Sequence, residues 1–573
     1  MKYLFPYFKK YRFESILAPL FKMLEAMFDL IVPLVVAQII NVGIATHNKG
    51  YILNRFGILI LMALLGLLCS FTAQYFAAKA AIGTSTGLRH KLLAHISGLS
   101  FSELDRIGGS TLITRMTADI NQVQNGVNMF LRLFLRSPFI VFGAMIMAFT
   151  IDPKIALIFV GVIPVLFVII FGIMKITKPL YKDSQTKLDA VTTSTRENLA
   201  GVRVVRAFGR EKHESENFER VNNALAEAQI KVGRISALMN PMTYVVINIG
   251  IVLILWFGSK QVYNGRQTGD VIALVNYLSQ ILVELIKLAN LVVLIGKAIA
   301  SMGRVEQVLD TQSSMTYGSI AEGDADETEA IRFENVSLSY SDGADEAVSN
   351  ISFTIGRGET IGIIGSTGSG KSSIVSLIAR FYDATKGKVS LFGEPIGEWD
   401  KAALRHKVSV VMQKASLFKG TIRSNLLYGD PNATDERLWS ALESAQAADF
   451  VRAKDGGLDA EVEQGGRNLS GGQKQRLTIA RALVGSPEIL ILDDSSSALD
   501  YATDAALRRE LKTLSEGMTV IIVSQRTSSI MHADKILVLD DGELVGIGAH
   551  DELMKNCDVY KEIHESVYGK EDR

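Results

Sequence analysis

The chain has 573 residues, which is too long for one hydrophobic core and predicts at least two domains. Its 60 basic and 60 acidic side chains cancel to a formal net charge of zero, so the composition does not point to nucleic acid as a partner. Hydrophobic residues make up 48% of the sequence and the mean hydropathy is +0.23, which indicates a protein embedded in a lipid bilayer.

The chain begins with a basic and aromatic segment at residues 1–13. In it Lys2, Lys9, Lys10 and Arg12 are mixed with Tyr and Phe side chains. This combination is typical of a short amphipathic helix that lies on the cytoplasmic surface of a membrane. A frayed basic tail is the alternative.

Six apolar segments follow. Each is close to or longer than the roughly 20 residues that a helix needs to cross the hydrocarbon core. We predict spanning helices at about 15–41, 56–82, 127–150, 154–177, 239–259 and 271–300.

The connections between these segments predict their orientation. Those at about 83–126 and 178–238 are long and rich in Lys and Arg, whereas spans three and four are separated only by a tight turn at 151–153. The excess of positive charge places the long connections in the cytoplasm. Because both connections keep a helical periodicity, we expect a multi-pass protein of the plasma membrane whose helices continue below the bilayer.

Two of the predicted spans carry polar side chains on one helical face, which is unfavourable against lipid. A polar translocation cavity would explain both faces, and its candidate lining residues are Glu25, Asp29, Asn276, Gln280 and Glu284. The alternative is structural, with Glu284 and Lys287 paired against a neighbouring helix. The full sets are Lys22, Glu25 and Asp29 in the first span and Asn276, Gln280, Glu284, Lys287 and Asn290 in the last.

The character of the chain changes at residues 310–330, which are small, acidic and polar and are typical of a flexible linker. We therefore predict a helical membrane domain over 1–310, a linker over 311–330 and a soluble α/β domain over 331–573. In the last part, short β-branched runs alternate with helical patterns. The predicted strands include 408–412, 489–492, 520–523 and 536–539.

A glycine-rich loop lies between an apolar, β-branched run and a helical pattern. That order predicts a phosphate-binding loop, because glycine lets backbone N–H groups converge on anionic oxygens at a helix N-terminus. Its lysine is expected to reach the β- and γ-phosphates of a nucleotide, and the serine after it to ligate Mg²⁺. An ordinary turn before a helix is the alternative. The loop comprises Gly365, Ser366, Thr367, Gly368, Ser369, Gly370, Lys371 and Ser372, and Ser373 follows it.

Two further motifs extend this site. The apolar strand at 489–492 is followed by Asp493, the position from which a P-loop enzyme holds Mg²⁺. A Leu-Ser-Gly-Gly-Gln sequence precedes a helix predicted over 475–483 and offers a second anion-binding geometry. One domain rarely needs two cradles for one nucleotide, so we infer that the second closes on a nucleotide held by another copy or a partner. Its residues are Ser470, Gly471, Gly472 and Gln473.

With these motifs the second half resembles the nucleotide-binding domain of ABC transporters, and the whole chain resembles an ABC exporter half-transporter. The Leu-Ser-Gly-Gly-Gln pentapeptide is highly specific to that family. The resemblance implies an α-helical membrane domain of six transmembrane helices extended into the cytoplasm and an α/β P-loop ATPase domain, with ATP and Mg²⁺ as cofactors. Residues 197–205 and, less closely, 101–106 are similar to the family's intracellular loops near the coupling helices.

The resemblance also implies roles for single residues. Tyr340 would stack on the adenine ring. Gln413 would sense the Mg²⁺ that Ser372 and Asp493 hold, and would itself contribute to the metal site. Asp500 ends a Ser-Ala-Leu-Asp segment that would lie at the seam between two nucleotide domains.

Two departures from the family pattern bear on catalysis. Asp494 stands where hydrolytically active members carry Glu, and Gln525 stands where they carry the switch histidine. Asp is one methylene shorter, and a misplacement of about 1 Å in a water-orienting base can lower the rate on the order of 10²-fold. Gln donates hydrogen bonds but cannot relay a proton as imidazole does. We therefore expect the site on this chain's own loop to bind ATP well and to hydrolyse it poorly.

This combination of a degenerate site with an intact signature motif resembles one subunit of heterodimeric bacterial multidrug ABC exporters. It implies a second, different half-transporter that carries Glu and His at the corresponding positions. The expected function is ATP-driven export of amphipathic drugs or related hydrophobic compounds. Lipid or peptide export, a homodimeric exporter and an ATP-gated channel or regulator are the alternatives.

Overall fold

The computed structural model describes residues 2–263, 267–324, 327–341, 343–495, 499–514 and 517–568. The chain forms two compact units. The first comprises Met1–Ser97 and Gly108–Thr311, and the second comprises Gly98–Ile107 and Gln312–Arg573. The second unit therefore includes a short segment, 98–107, that lies within the predicted membrane domain in sequence.

Long helices build the first unit. Among the described residues, six helical stretches are long and apolar enough to cross a membrane, and they contain the six predicted spans: Arg12–Ile44, Lys49–Gly98, Gly109–Ile151, Pro153–Ala200, Glu211–Tyr263 and Thr268–Asp310. The last five are 43 to 53 residues long. At 1.5 Å per residue even the shorter ones reach about 65 Å, roughly twice the thickness of the hydrocarbon core. The prediction that helices continue beyond the bilayer is confirmed.

Two π-helical turns, Ile39–Ile44 and Arg115–Asp119, interrupt the first and third of these stretches. The α-helices are α1 (Phe5–Lys10), α2 (Arg12–Gln38), α3 (Lys49–Gly98), α4 (Phe101–Ile107, in the second unit), α5 (Gly109–Thr114), α6 (Ile120–Leu133), α7 (Arg136–Ile151), α8 (Pro153–Ala200), α9 (Val202–Ala207), α10 (Glu211–Ala237), α11 (Met239–Tyr263) and α12 (Thr268–Asp310).

The turn between α7 and α8 is as tight as the sequence predicts. Asp152 caps α8, and one carboxylate oxygen accepts hydrogen bonds from the backbone N–H groups of Lys154 (2.8 Å) and Ile155 (3.1 Å). Pro153 occupies the first helical position, where its missing N–H costs nothing.

Helices α2 and α12 pack closely in the interior of the bundle. A Cβ built on Gly269 would lie 2.4 Å from the carbonyl oxygen of Ala37, so only glycine allows this approach. Further along, the fully buried Tyr277 of α12 donates its hydroxyl to the carbonyl of Leu30 in α2. The two helices that carry the polar faces are therefore neighbours.

A six-stranded sheet, in the order β12-β11-β3-β10-β9-β6, organises the second unit. Its strands pair in parallel except β12, and β9 is buried along its whole length, as expected for a parallel sheet covered on both faces. A four-stranded antiparallel sheet has the order β2-β1-β4-β5. The strands are β1 (Glu329–Leu338), β2 (Val348–Gly356), β3 (Thr360–Gly365), β4 (Lys386–Leu391), β5 (Glu394–Pro395), β6 (Val408–Val411), β7 (Gly420–Thr421), β8 (Glu461–Val462), β9 (Ile489–Asp493), β10 (Thr519–Val523), β11 (Lys535–Asp540) and β12 (Glu543–Gly548).

The helices of this unit, besides α4, follow or connect these strands. They are α13 (Lys371–Ile378), α14 (Lys401–Lys407), α15 (Ile422–Leu426), α16 (Asp435–Ser444), α17 (Ala448–Arg452), α18 (Gly471–Val484), α19 (Tyr501–Leu514), α20 (His550–Asn556) and α21 (Asp558–Tyr568). The predicted fold class, a helical membrane domain followed by an α/β P-loop domain, is confirmed.

The segment predicted as a flexible linker is hydrogen-bonded along part of its described length. The backbone N–H of Gly318 donates to the carbonyl of Trp399 (3.1 Å), and that of Ile320 donates to the carbonyl of Glu398 (3.0 Å). Arg380 donates to the carbonyl of Thr316 over 2.6 Å. Composition alone suggested flexibility because the partners of these backbone groups lie roughly 60 to 80 residues further along the chain.

Candidate nucleotide site

The phosphate-binding loop joins the end of β3 to the start of α13. Gly368 and Gly370 adopt φ values of 88° and 93°, which disfavour any residue with a Cβ. A Cβ on Gly370 would also lie 2.8 Å from the carbonyl oxygen of Ala347, and one on Gly365 would lie 2.2 Å from that of Leu539. The glycines are therefore needed both for the left-handed backbone and for close packing.

Lys371 is held at the base of this loop. Its ammonium group donates to the carbonyls of Gly365 (2.9 Å) and Ser366 (2.5 Å). Burial lowers the pKa of Lys371, and the carboxylates of Asp493 and Asp494 oppose that shift. A partly desolvated cation at the start of a helix fits a polyphosphate.

Asp493 ends β9 opposite the loop. Its carboxylate accepts a hydrogen bond of 3.4 Å from the hydroxyl of Ser372, the residue predicted to ligate Mg²⁺. Burial, and then the neighbouring charge of Asp494, raise the pKa of Asp493. Two adjacent acidic groups beside a serine hydroxyl fit a hard divalent cation, which would offset their repulsion and neutralise phosphate charge when bound.

A cavity of about 360 Å³ is lined by residues of the phosphate-binding loop and by residues at the ends of β9 and β10. The amide nitrogen of Gln413 donates to the Asp494 carboxylate over 3.0 Å, and Gln525 lies exposed on the wall. The structure thus brings both departures from the family pattern into the same cavity as the phosphate-binding residues. The predicted residues that line it are Tyr340, Thr367, Gly368, Gly370, Lys371, Ser372, Ser373, Gln413, Asp493, Asp494 and Gln525.

Tyr340 lies at the edge of this cavity. It is 46% exposed, so its ring is available to a planar base, while its hydroxyl lies 2.9 Å from that of Ser373. The ring also meets Tyr382 edge-on, with a centroid distance of 4.9 Å. This arrangement suits the predicted stacking on adenine.

The second predicted cradle is not part of this cavity. Ser470 caps α18, since its hydroxyl accepts from the backbone N–H of Gln473 (3.3 Å) and the Gln473 side chain accepts from the N–H of Ser470 (3.1 Å). This capping box starts the helix at Gly471, four residues before the predicted start. Ser470 and Gly471 are exposed.

Asp500 also lies apart from the cavity residues. Its carboxylate accepts from the backbone N–H (2.9 Å) and the hydroxyl (2.8 Å) of Thr503 in the first turn of α19. Ser497 and Ala498, which precede it in the predicted motif, lie outside the described residues.

Comparison with known proteins decides the family. Residues 15–285 match the model of the ABC transporter transmembrane region, and residues 348–497 match that of the ABC transporter domain. The Bacillus subtilis protein YfiB, an uncharacterized ABC transporter ATP-binding protein, is 33% identical over 567 residues, which cover 99% of this chain and 98% of YfiB. The chain belongs to the ABC transporter family. It is a half-transporter, with one transmembrane region fused to one ATPase domain.

One further relative and one solved structure indicate what kind of ABC transporter this is. The ATP-dependent lipid A-core flippase of Hahella chejuensis is 31% identical over 527 residues, which cover 91% of this chain and 89% of the flippase. A solved structure of a bacterial Atm1-family ABC exporter with ATP bound matches the fold with a TM-score of 0.79 over 99% of both chains, at 22% identity. The transporter therefore has the exporter fold, and its second unit is a transport ATPase.

Lys371 offers a direct test of nucleotide binding by the transporter. Replacing Lys371 with Ala is expected to weaken Mg-ATP binding about 10- to 100-fold, because hydrogen bonds to charged groups contribute about 1.5–3 kcal/mol. Isothermal titration of the purified chain measures this change. Lys555→Ala, on an exposed position of α20, is the matched control and should leave the affinity unchanged. Equal affinities for Lys371→Ala and the unsubstituted chain would place the nucleotide elsewhere.

Sequence reasoning missed Tyr382, which connects this site to α4. Its ring contacts Tyr340, and its hydroxyl donates to the carboxylate of Asp105 in α4. Burial, and then this hydrogen bond, raise the pKa of Tyr382. Phe101 of α4 also packs on Phe381, with ring centroids 4.6 Å apart. No local pattern around Tyr382 could reveal a partner 277 residues away.

Removing that hydroxyl should loosen α4. In Tyr382→Phe the ring contacts remain but Asp105 loses a donor, which costs about 1–2 kcal/mol. We expect amide hydrogen exchange of residues 101–107 to accelerate about 5- to 30-fold. Tyr428→Phe is the control, because the Tyr428 hydroxyl makes no hydrogen bond within the described residues and its ring is exposed. Unchanged exchange in Tyr382→Phe would mean that the bond does not hold α4.

The polar faces of the spans meet at Arg136, a second residue that sequence reasoning missed. Its guanidinium lies 2.9 Å from the carboxylate of Asp29 and 2.8 Å from that of Glu284. Glu25 is 3.8 Å away and pairs with Lys22. An arginine within an apolar span is the signal that could have identified this cluster.

The members of the cluster differ in exposure. The Glu284 side chain is 5% exposed and also accepts from Ser137 and Lys287, whereas that of Asp29 is 46% exposed. Gln280 donates to the backbone carbonyl of Asp29 over 3.3 Å. Asn276 is exposed and lies outside these contacts. The pairing of Glu284 with Lys287, which the structural alternative predicts, is thus present. Asp29 is the most exposed of the three carboxylates around Arg136.

Proposed function

We propose that this ABC transporter is the degenerate-site half of a heterodimeric exporter that moves amphipathic, hydrophobic compounds across the plasma membrane. One observation carries the proposal. Asp494 and Gln525 line the same cavity as Lys371, Ser372 and Asp493. Residues suited to bind phosphate and Mg²⁺ are thus combined with two substitutions at the positions that orient the attacking water and relay its proton.

The contacts of Asp494 support weak catalysis. A base that orients water must reach the γ-phosphate, and an aspartate is one methylene shorter than the glutamate of active relatives. Here the carboxylate also accepts the Gln413 amide. With glutamine at 525 no imidazole relays a proton. ATP bound at this site would therefore be hydrolysed slowly and would stay bound for a long time.

The proposed division of labour needs a partner. The exposed cradle at Ser470 and Gly471 would complete the partner's nucleotide site, where hydrolysis occurs, while the partner's cradle covers Lys371. A second exposed feature supports assembly: around α9 of the first unit, Leu199, Val204 and Phe208 are 72%, 61% and 77% exposed, an unusual state for apolar side chains outside the spanning segments.

The composition of the native transporter tests this pairing. The complex is isolated from its native membrane through a tag on this chain, and its subunits are identified by mass spectrometry. We expect a second half-transporter in equal amount, with Glu after its Mg²⁺-binding aspartate and His at the switch position. A complex that contains only copies of this chain would establish the homodimer instead.

The cargo is the second part of the proposal. Asp29 offers a half-exposed carboxylate within an otherwise apolar bundle, which suits a cationic amphipathic compound. The likeness to the lipid A-core flippase favours a lipid as the second candidate. Uphill uptake into inside-out vesicles separates the two, with a cationic dye as one substrate and a fluorescent phospholipid as the other. Asp29→Asn should reduce uptake of the dye alone.

A further inference from the structure

A cavity of about 490 Å³ opens between the beginning of α8 and the end of α11. Its polar lining includes Lys154 and Lys260, and its apolar lining includes Ile155, Leu157 and Phe257. Lys154 is the second residue of α8, and Lys260 lies three residues before the end of α11. With the long connections in the cytoplasm, both ammonium groups lie at the outer boundary of the membrane.

Neither lysine is neutralised by the protein within the described ranges. No carboxylate there lies within 4.0 Å of the ammonium group of Lys154 or Lys260. Asp152, the acidic residue nearest to Lys154 in sequence, uses its carboxylate to cap α8. Lys260 lies over the ring of Trp256, 5.0 Å from its centroid, which is a common arrangement at the headgroup level.

The apolar side of the cavity continues towards the hydrocarbon. Leu157 is 62% exposed and Phe257 is 48% exposed, and one turn deeper Val160 and Leu253 are also exposed. A single lysine near a helix end is explained by snorkelling to the headgroups. Two lysines without a carboxylate partner among the described residues lie beside one cavity with an exposed apolar wall. This combination fits an anion that carries its own apolar chain.

We propose that this cavity binds an anionic phospholipid of the outer leaflet. The phosphate is held between Lys154 and Lys260, and an acyl chain lies along Leu157 and Phe257. This site depends on the orientation of the spans and not on the cargo or on the partner. Each lysine near a charged headgroup contributes enough for the pair to favour an anionic over a zwitterionic lipid about 10- to 30-fold.

Native mass spectrometry of the full-length transporter in micelles tests this preference, with phosphatidylglycerol and phosphatidylcholine as probes. We expect the unsubstituted chain and Lys154→Arg/Lys260→Arg to retain phosphatidylglycerol. Lys154→Gln/Lys260→Gln should lose the 10- to 30-fold preference for phosphatidylglycerol over phosphatidylcholine. Lys49→Gln/Arg55→Gln removes the same charge at the other outer connection and should keep the preference. Equal retention by the Gln pair, equal binding of both lipids, or displacement of phosphatidylglycerol by inorganic phosphate would overturn the site.

A second measurement identifies the occupant in a membrane. A photo-crosslinking residue at Leu157 of the transporter in phosphatidylglycerol vesicles should form a lipid adduct. An adduct between two polypeptides would show that another subunit covers the cavity, and the proposal would then fail.

Discussion

Replacing Asp494 with Glu and Gln525 with His in the same chain is expected to raise ATP turnover at its own site on the order of 10²-fold. The longer carboxylate regains the methylene that a water-orienting base needs, and the imidazole restores proton relay. The residues that we assign to phosphate and Mg²⁺ binding on this chain, including Lys371, Ser372 and Asp493, already line the cavity. Phosphate release by the purified chain measures the gain.

The backbone at Asp494 makes the choice of control important. Its φ is 45°, in the left-handed region where Asp is better tolerated than Glu, so the substitution also strains the fold by roughly 1 kcal/mol. Asp541 has a φ of 43° and does not line the cavity. Asp541→Glu therefore carries a similar strain without the catalytic gain and should leave turnover unchanged. If the double variant stays as slow as the parent, the two substitutions do not explain the slow site.

The largest stability effect is expected at Arg136 in the membrane bundle. Arg136→Leu should lower the free energy of unfolding by about 3–5 kcal/mol. Glu284 would keep its buried charge with only Lys287 and Ser137 as partners, and Asp29 would lose its guanidinium partner. The thermal midpoint of the detergent-solubilised chain, followed by size-exclusion chromatography, reports the loss. Arg136→Lys keeps the charge but cannot bridge both carboxylates. Its thermal midpoint should therefore lie between those of the unsubstituted chain and of Arg136→Leu.

Arg132→Leu is the matched control for this experiment. Arg132 lies one helical turn earlier, in α6, and forms no ion pair in the part of the chain that the structure describes. Its replacement should shift the midpoint far less. A similar loss for both arginines would mean that the cost comes from the length of the side chain and not from the ionic cluster.

The fold was predictable wherever one strong local signal acts. The spans follow from apolar length, and β9 follows from a short run of Ile and Leu residues that is typical of a parallel strand covered on both faces. The start of α18 was predicted too late, because Gly471 and Gly472 are poor helix formers. The capping box between Ser470 and Gln473 outweighs that propensity.

The parts that could not be predicted depend on contacts between distant residues. The docking of 316–320 on Glu398 and Trp399 and the bond from Tyr382 to Asp105 join segments that no local pattern relates. Arg136 carried a signal of its own, as an arginine within an apolar span, but the carboxylates that it joins lie on two other helices and could not be assigned to it from sequence. The residues of the phosphate-binding loop could be grouped from sequence because strand, loop and helix start are contiguous there.

The turnover of this chain alone tests the central asymmetry most directly. The purified transporter, reconstituted in lipid nanodiscs without any other subunit, is supplied with Mg-ATP and a cationic amphipathic dye while nucleotide binding and phosphate release are recorded together. We predict saturable ATP binding with turnover about 10²-fold below that of the Asp494→Glu/Gln525→His variant. Rapid, dye-stimulated hydrolysis by the unsubstituted chain would contradict the degenerate site and the need for a partner.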